Sequence, residues 1–327
     1  MTYKVLENPE TTTIGLSETY FNTMMYLMGE NQDIMELEAD LAVCILGGGY
    51  REMGKKYPKQ LINCGIEEAN MIGVACGLSA VGKIPFCHSF STFLSRRAND
   101  QIFISACYGG ANIRVVGSDP GVMAAFNGGT HMPFEDIAAV RAFPELTIVE
   151  PTDKAMVKDL LKQLVSLKGV YYIRMARKEM PDIYAEDSTF TIGKGNIVRE
   201  GSDVTIVSSG IMVAEAIKAA KALAKRGTSA RVIDMFTIKP VDLQLLAESA
   251  EKTGAVVTAE NHNVIGGLGS AVCEALAGTC PVPVERVGVY DRFGEVGPID
   301  YLKKSFGLTA ENIANACIKA VGRKNRL

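Results

Sequence analysis

LINCGIEEANMIGVACGLSAVGKIPFCHSFSTFLSRRANDQIFISAC, residues 61–107, settles the architecture. LIN (61–63) reads as a short strand. Residues 66–82 read as a helix rich in Ala, Gly and Met. IPFCH (84–88) is strand-like again, and 93–107 is helical. Short apolar runs that alternate with helical stretches point to parallel strands joined by crossover helices.

The alternation continues outward in both directions. Upstream, Ser17 is placed to cap a helix reaching about Gly29, and LAVCIL (41–46) is an apolar run of buried-strand type. Downstream, IRVVG (113–117), LTIVE (146–150) and VYYIRM (170–175) are strands, with a helix between the last two. This order implies an α/β fold, a mainly parallel sheet with helices on both faces. Residues 179–202 (EMPDIYAEDSTFTIGKGNIVREGS) interrupt it with a polar stretch containing Pro181 and several glycines. A boundary near 187–192 divides the chain into a first domain, 1–188, and a second, 189–327. Strands then recur at VTIVSS (204–209), ARVIDM (230–235), AVVTAE (255–260) and VERVGVY (284–290), separated by helices at 212–226, 241–252 and 269–278. The second unit reads as a smaller α/β domain.

Composition narrows the function. A length of 327 residues suits about two domains. A hydrophobic fraction of 47% fits buried cores and excludes disorder. The 34 basic and 37 acidic residues are well mixed, so neither a nucleic-acid stripe nor an acidic tail is present. Eight cysteines form no CxxC pair and mostly sit in apolar runs, which favours free thiols in a reducing compartment over a disulfide framework. The N-terminal residues lack the shape of a signal peptide, and no apolar run approaches the ~18 residues of a membrane span. A cytoplasmic location is the expectation.

Ligands of open parallel sheets gather at the carboxyl ends of strands. After LIN comes CGIEEAN, two acids at a helix start. After IRVVG comes SDPGVMAAFNGGTHMPFED, long, polar and glycine-rich. After VVTAE comes NHNVIGGLGS. The glycine runs at 47–50, 127–131 and 266–269 form neither a Walker loop nor a dinucleotide fingerprint. His88, His131 and His262 form no HxH or HExxH pair, which speaks against zinc. No GxSxG elbow supports a hydrolase.

Three runs, GIEEANMIGVACGLSAVGKIPF (65–86), STFLSRRANDQ (91–101) and SDPGVMAAFNGGTHMPFEDIAAVRAFPELTIVEPTD (118–153), resemble the pyrimidine-binding domain of transketolases. Residues from about 190 to 322 resemble the C-terminal domain of that family, most clearly in ENHNVIGGLGSAVCEAL (260–276). The GDG…N motif of the family's diphosphate-binding domain is missing. The resemblance therefore implies a split transketolase, which moves a two-carbon ketol unit between sugars. It further implies thiamine diphosphate as cofactor and Mg2+ or Ca2+ held by a partner chain. That partner would be an N-terminal transketolase subunit, in an α2β2 assembly.

The resemblance also assigns residues. Glu68 is the glutamate that contacts the cofactor's aminopyrimidine and favours its imino tautomer; apart from the family, it could equally be an acid favoured by a helix N-terminus. Phe93 is the aromatic on which the pyrimidine stacks. Arg96 matches a pocket arginine, Arg97 a surface or subunit-contact residue, and Asp40 an aspartate near the cofactor at the subunit interface. His131 corresponds to a histidine that hydrogen-bonds the sugar. Asn127 stands where an aspartate usually reads a donor hydroxyl, and unlike aspartate it can also donate. Arg177 matches an arginine that binds substrate phosphate. Three further phosphate positions depart from the family, with Ile14 in place of arginine, Cys44 in place of serine and Ser118 in place of histidine; Ser118 stays a candidate substrate contact. Glu260, Asn261 and His262, ahead of the glycines at 266–269, are read as structural rather than as an anion site. Other readings are a 2-oxo acid dehydrogenase beta chain, a deoxyxylulose-phosphate synthase-like enzyme and a non-catalytic scaffold.

Overall fold

The described strands gather into two sheets whose central strands are covered on both faces and whose edge strands are partly exposed. The computed structural model describes residues 2–7, 9, 14–42 and 49–326. The strands are β1 (Ile34–Glu38), β2 (Leu61–Asn63), β3 (Ile84–Phe90), β4 (Ile113–Ser118), β5 (Leu146–Val149), β6 (Val170–Met175), β7 (Asn196–Arg199), β8 (Val204–Ser208), β9 (Ala230–Asp234), β10 (Thr237–Lys239), β11 (Val256–Asn263) and β12 (Val284–Val289). Seven form one sheet in the order β10-β5-β6-β4-β3-β1-β2, and five form the other in the order β12-β11-β8-β9-β7. The pairings are parallel except for β10 with β5 and β7 with β9. β1, β4, β6, β8 and β9 are buried at every position, as expected of parallel strands between helix layers.

The first sheet is completed from far along the sequence. β10 lies beyond residue 189 and pairs with β5 of the first sheet, Thr237 opposite Val149. At the other end, Thr2 bridges to Thr189 and Val5 to Tyr184. The second sheet packs against helices Met212–Ala224 and Ala310–Lys324.

Two local expectations need correcting. The first helix begins at Leu16 with Gly15 as its N-cap, so Ser17 lies inside the first turn and caps nothing. The first strand is IMELE (34–38) rather than LAVCIL (41–46): Leu41 lies outside any element, Ala42 is helical, and residues 43–46 lie outside the described residues. Two glutamates disguise that strand as polar. Each is buried with a partner. The Tyr20 hydroxyl donates to Glu36 at 2.8 Å, and the Leu41 and Ala42 amides donate to Glu38 at 2.7 and 3.0 Å. Burial raises the Glu36 pKa to about 8, so this side chain enters the core largely neutral. The helix expected over 93–107 is interrupted, running Ser91–Arg97 and Asn99–Gln101 before a π-helix at Ile102–Tyr108.

The two sheets meet across a sealed polar seam. Arg174, fully buried on β6, donates to Asp136 at 2.8 and 3.2 Å, to Glu150, and to the Asn261 carbonyl at 2.7 Å. Tyr172 donates to Asp136 at 3.1 Å and Ser209 to Glu150 at 2.5 Å. Burial pushes the Asp136 carboxyl up, but Arg174 and His262 outweigh it and hold the pKa below the usual range. Among the described residues, no helix is long and apolar enough to cross a membrane.

Candidate active site

Strand order locates the site. The chain leaves β1 toward β2 on one side, then returns to β3 on the other. The crevice beyond the carboxyl ends of β1 and β3 is therefore a topological switch point, where open α/β sheets bind ligands. Asp40 follows β1, Glu68 follows β2, Phe93 and Arg96 follow β3, and Ser118, Asn127 and His131 lie at or beyond the end of β4. Arg177 follows β6. Every sequence candidate thus lies at the same edge of one sheet.

Glu68 opens the helix Glu68–Ala80 and is 2% exposed. Its neighbour Glu67 is exposed. Both Glu68 oxygens accept from Nη1 of Arg97, at 3.2 and 3.3 Å. The Arg97 guanidinium carbon also lies 4.1 Å from the centre of the Phe93 ring. Arg96 turns the other way, donating to Glu135 at 2.5 Å and to the Thr130 carbonyl at 3.4 Å. Asp40 is exposed and held by Asn63 at 3.1 Å, with its backbone in the left-handed region at φ 59°.

The loop after β4 carries the second group. His131 sits edge-on to Phe90 and Phe93, with ring centres 5.6 and 5.1 Å away, and its Nδ1 lies 2.9 Å from the Thr130 hydroxyl. Burial and then the Arg97 charge hold its pKa below the ordinary value, so the ring is neutral at physiological pH. Asn127 is exposed at the end of the 3-10 turn Gly121–Asn127. Arg177 is bound to Asp119 through Nε at 2.7 Å and Nη2 at 2.6 Å, and lies 5.0 Å from the Phe90 ring centre. Ser118 is not brought to the crevice surface: it is fully buried, and its hydroxyl lies 2.6 Å from Nε2 of His88, inside the sheet. Ile14 is exposed, while Cys44 lies outside the described residues.

Comparison with known proteins gives the family of the chain. The transketolase pyrimidine-binding domain matches residues 13–182, and the transketolase C-terminal domain matches residues 193–313. The chain belongs to the transketolase family. It is 48% identical, over 95% of both chains, to the 6-deoxy-6-sulfo-D-fructose transketolase subunit of Clostridium sp. strain MSTE9. It is 33% identical to an apulose-4-phosphate transketolase subunit of Phocaeicola vulgatus, over 94% of this chain and 98% of that one. A solved split-gene transketolase, described as an inactive beta4 tetramer, superposes with a TM-score of 0.87 at 41% identity, covering 95% of this chain and 99% of the other. The protein is thus a ketol-transferring subunit of a split transketolase that works with a second subunit, and its family uses thiamine diphosphate.

The transketolase site fits the cofactor's aminopyrimidine on the geometry of this chain alone. A carboxylate that is 2% exposed and a flat aromatic face stand together, bridged by a single planar cation. A planar heterocycle with an N–H edge matches both partners. Among the described residues, no group of three His, Cys, Asp or Glu side chains converges as a metal site.

Sequence reasoning missed three parts of this transketolase site. Arg97, not Arg96, touches both Glu68 and Phe93. Asn261, from the glycine-flanked NHN run, clamps the loop after β4 by donating to the Pro120 carbonyl at 2.9 Å and accepting from the Val122 amide at 3.0 Å. The third is the 291–296 loop of the C-terminal domain. A Cβ on Gly294 would meet Met132 at 2.7 Å and Gly129 at 3.0 Å. Loop 291–294 also walls a cleft of roughly 910 Å3 with Arg96, Thr130 and Phe134. Gly128, Gly129 and Gly294 make that contact possible, since a Cβ at any of them would meet the facing loop.

Proposed function

We propose that this chain holds the aminopyrimidine of thiamine diphosphate through Glu68 and Phe93, and that it transfers a two-carbon ketol unit from a ketose whose far end is a sulfonate. The observation that carries the first part is the buried Glu68 carboxylate beside Phe93 at the switch point. Two features support the second. The most similar relatives include the subunit named for 6-deoxy-6-sulfo-D-fructose. The family's phosphate-side arginine and histidine are also absent, with Ile14 and Ser118 in their places.

When bound, thiamine diphosphate supplies a nucleophilic carbon that holds the transferred fragment. The residues of this chain bind and orient. Glu68 hydrogen-bonds the pyrimidine edge and sets its tautomer, while Phe93 fixes its plane. His131, neutral and braced by two phenylalanines, offers a ring nitrogen to a sugar hydroxyl. Asn127, exposed on the same loop, donates to or accepts from a second hydroxyl. Arg177 presents a guanidinium pre-aligned by Asp119 toward the anionic end of the sugar. Ser118 backs that loop from within the sheet. Asp40 lies near the cofactor on the side facing the partner, and Arg96 lines the pocket beside Thr130 and Glu135. The partner subunit holds the divalent ion, Mg2+ or Ca2+, in an α2β2 complex. A domain division at 188/189 and a cytoplasmic setting complete the reading.

The test is reconstitution with the N-terminal transketolase subunit, thiamine diphosphate and Mg2+. Transfer from 6-deoxy-6-sulfo-D-fructose to an aldose phosphate is expected only with both chains present, and at a higher kcat/KM than transfer from xylulose 5-phosphate. Preference for xylulose 5-phosphate would overturn the sulfonate. No transfer from either sugar, in a complex that holds the cofactor, would redirect the reading to 2-oxo acids.

A further inference from the structure

We propose that Arg97 is a built-in placeholder for the cofactor's aminopyrimidine, and that it leaves Glu68 and Phe93 when thiamine diphosphate binds. The inference rests on the reading of Glu68 and Phe93 as pyrimidine contacts. Its own support is geometric. One flat guanidinium covers the Phe93 ring at 4.1 Å and donates to both oxygens of Glu68 at 3.2 and 3.3 Å. In the imino tautomer that Glu68 favours, the aminopyrimidine offers the same two features, a flat π-surface and a ring N–H, and two planar groups do not share one stacking face.

The energetics favour a reversible stopper. Glu68 is 2% exposed, and a buried carboxylate without a partner is heavily penalised. An arginine that closes on it stabilises the cofactor-free chain. Arg97 itself is 51% exposed at the last turn of its helix, so its charge returns to water easily when it swings out. Arg96 beside it is tied down by Glu135 and Thr130. Arg96 is thus engaged away from Glu68 and Phe93, and among the described residues Arg97 alone closes that pair. Cofactor affinity falls in proportion to the fraction of molecules in which the stopper is open.

Calorimetric titration of thiamine diphosphate, with Mg2+ present, into the complex of both subunits tests this. Arg97→Ala and Arg97→Gln are expected to bind cofactor about tenfold more tightly, the gain for a stopper closed in about nine molecules of ten. The cofactor-free variants should melt below wild type, and added cofactor should close that gap. A residue with a merely structural role, or one that clamps the pyrimidine from outside, would on truncation leave affinity unchanged or weaken it, and either result overturns the placeholder. Glu68→Ala separates this failure from that of the underlying reading. If turnover in the assembled complex survives Glu68→Ala, the pyrimidine assignment falls, and the placeholder with it.

Discussion

Two guanidinium–carboxylate clusters in this chain bury their acids equally and differ in the exposure of the guanidinium. At the seam between the sheets, Arg174 is fully buried and divides its donors among Asp136, Glu150 and the Asn261 carbonyl, while Tyr172 and Ser209 complete those carboxylates. At the crevice, Glu68 is just as buried, but the hydrogen bonds its carboxylate receives come from the half-exposed Arg97. A saturated network has nothing left to offer a ligand, and it fixes one packing of the two sheets. A buried acid whose partner can leave is poised to exchange it. What separates these two clusters is the exposure of the partner: Arg174 is sealed in with its acids, whereas the Arg97 side chain that holds Glu68 is 51% exposed.

The comparison breaks most visibly at the seam. Replacing Arg174 with Ala strands two buried carboxylates, and the expected loss is about 3–5 kcal/mol of stability, measured by denaturant unfolding. A loss under ~1 kcal/mol would mean that the network is ornamental. At the crevice the same kind of deletion should act on chemistry instead. Glu68→Ala is expected to lower turnover of the assembled complex at least about 100-fold, equivalent to ~2.7 kcal/mol of barrier. Its unfolding midpoint should stay within the range of surface variants, since the change removes a desolvated charge together with its need for a partner. A large fall in midpoint would place Glu68 with Arg174 as a structural acid.

The same contrast explains what could be read from the sequence. The βα order and the second α/β unit were legible because their strands are apolar on both faces, as at VYYIRM and VTIVSS. β1 was hidden because two of its five residues are glutamates that are nevertheless buried, Glu36 under the Tyr20 hydroxyl of the first helix and Glu38 under the Leu41 and Ala42 amides just past the strand. Pairing of β10 with the first sheet was hidden for a similar reason, since three residues at 237–239 find their partner about ninety positions upstream. The candidate site residues came from the resemblance to transketolases, and the structure sets them at or beyond the carboxyl ends of β1, β2, β3, β4 and β6. The choice between Arg96 and Arg97 was not legible, because adjacent positions on a helix differ only in direction, and Glu135 captures one of them.

A smaller effect sharpens the division between pyrimidine and substrate contacts. Gly294 touches Gly129 and Met132 closely enough that a Cβ has no room, so Gly294→Ala should push the loop bearing His131 by a few tenths of an ångström. The expected result is a rise in sugar KM of about tenfold, or ~1.4 kcal/mol, with thiamine diphosphate affinity unchanged, because Glu68 and Phe93 lie on other elements. Equal losses in cofactor and sugar binding would show that the two contact sets move as one body.

The finest test uses pH at the seam. Burial raises the Glu260 pKa to about 8, against the lowering pull of the Gly269 and Leu268 amides and of Arg174. The folded chain thus keeps a proton that the unfolded chain releases near the ordinary value of 4.5. The stability tied to that proton is fully present below about pH 4.5 and is lost as pH rises through about 8. His262 acts in the opposite sense. Burial holds its pKa near 4, so its share is lost as pH falls from about 6.5 toward 4. The two slopes oppose each other below pH 6.5; above it His262 drops out, and Glu260 shares the falling slope with Glu36, also raised to about 8, and with Asp234, raised to about 7. Glutamine keeps an acceptor for the Gly269 amide and has no proton to lose. Glu260→Gln should therefore flatten the stability curve in that upper window by up to ~1.4 kcal/mol per pH unit, read from denaturant midpoints at half-unit steps. A variant that declines as steeply as wild type would assign the slope to another buried acid, with Asp234, raised to about 7 beside Tyr184 and Thr152, the next to replace.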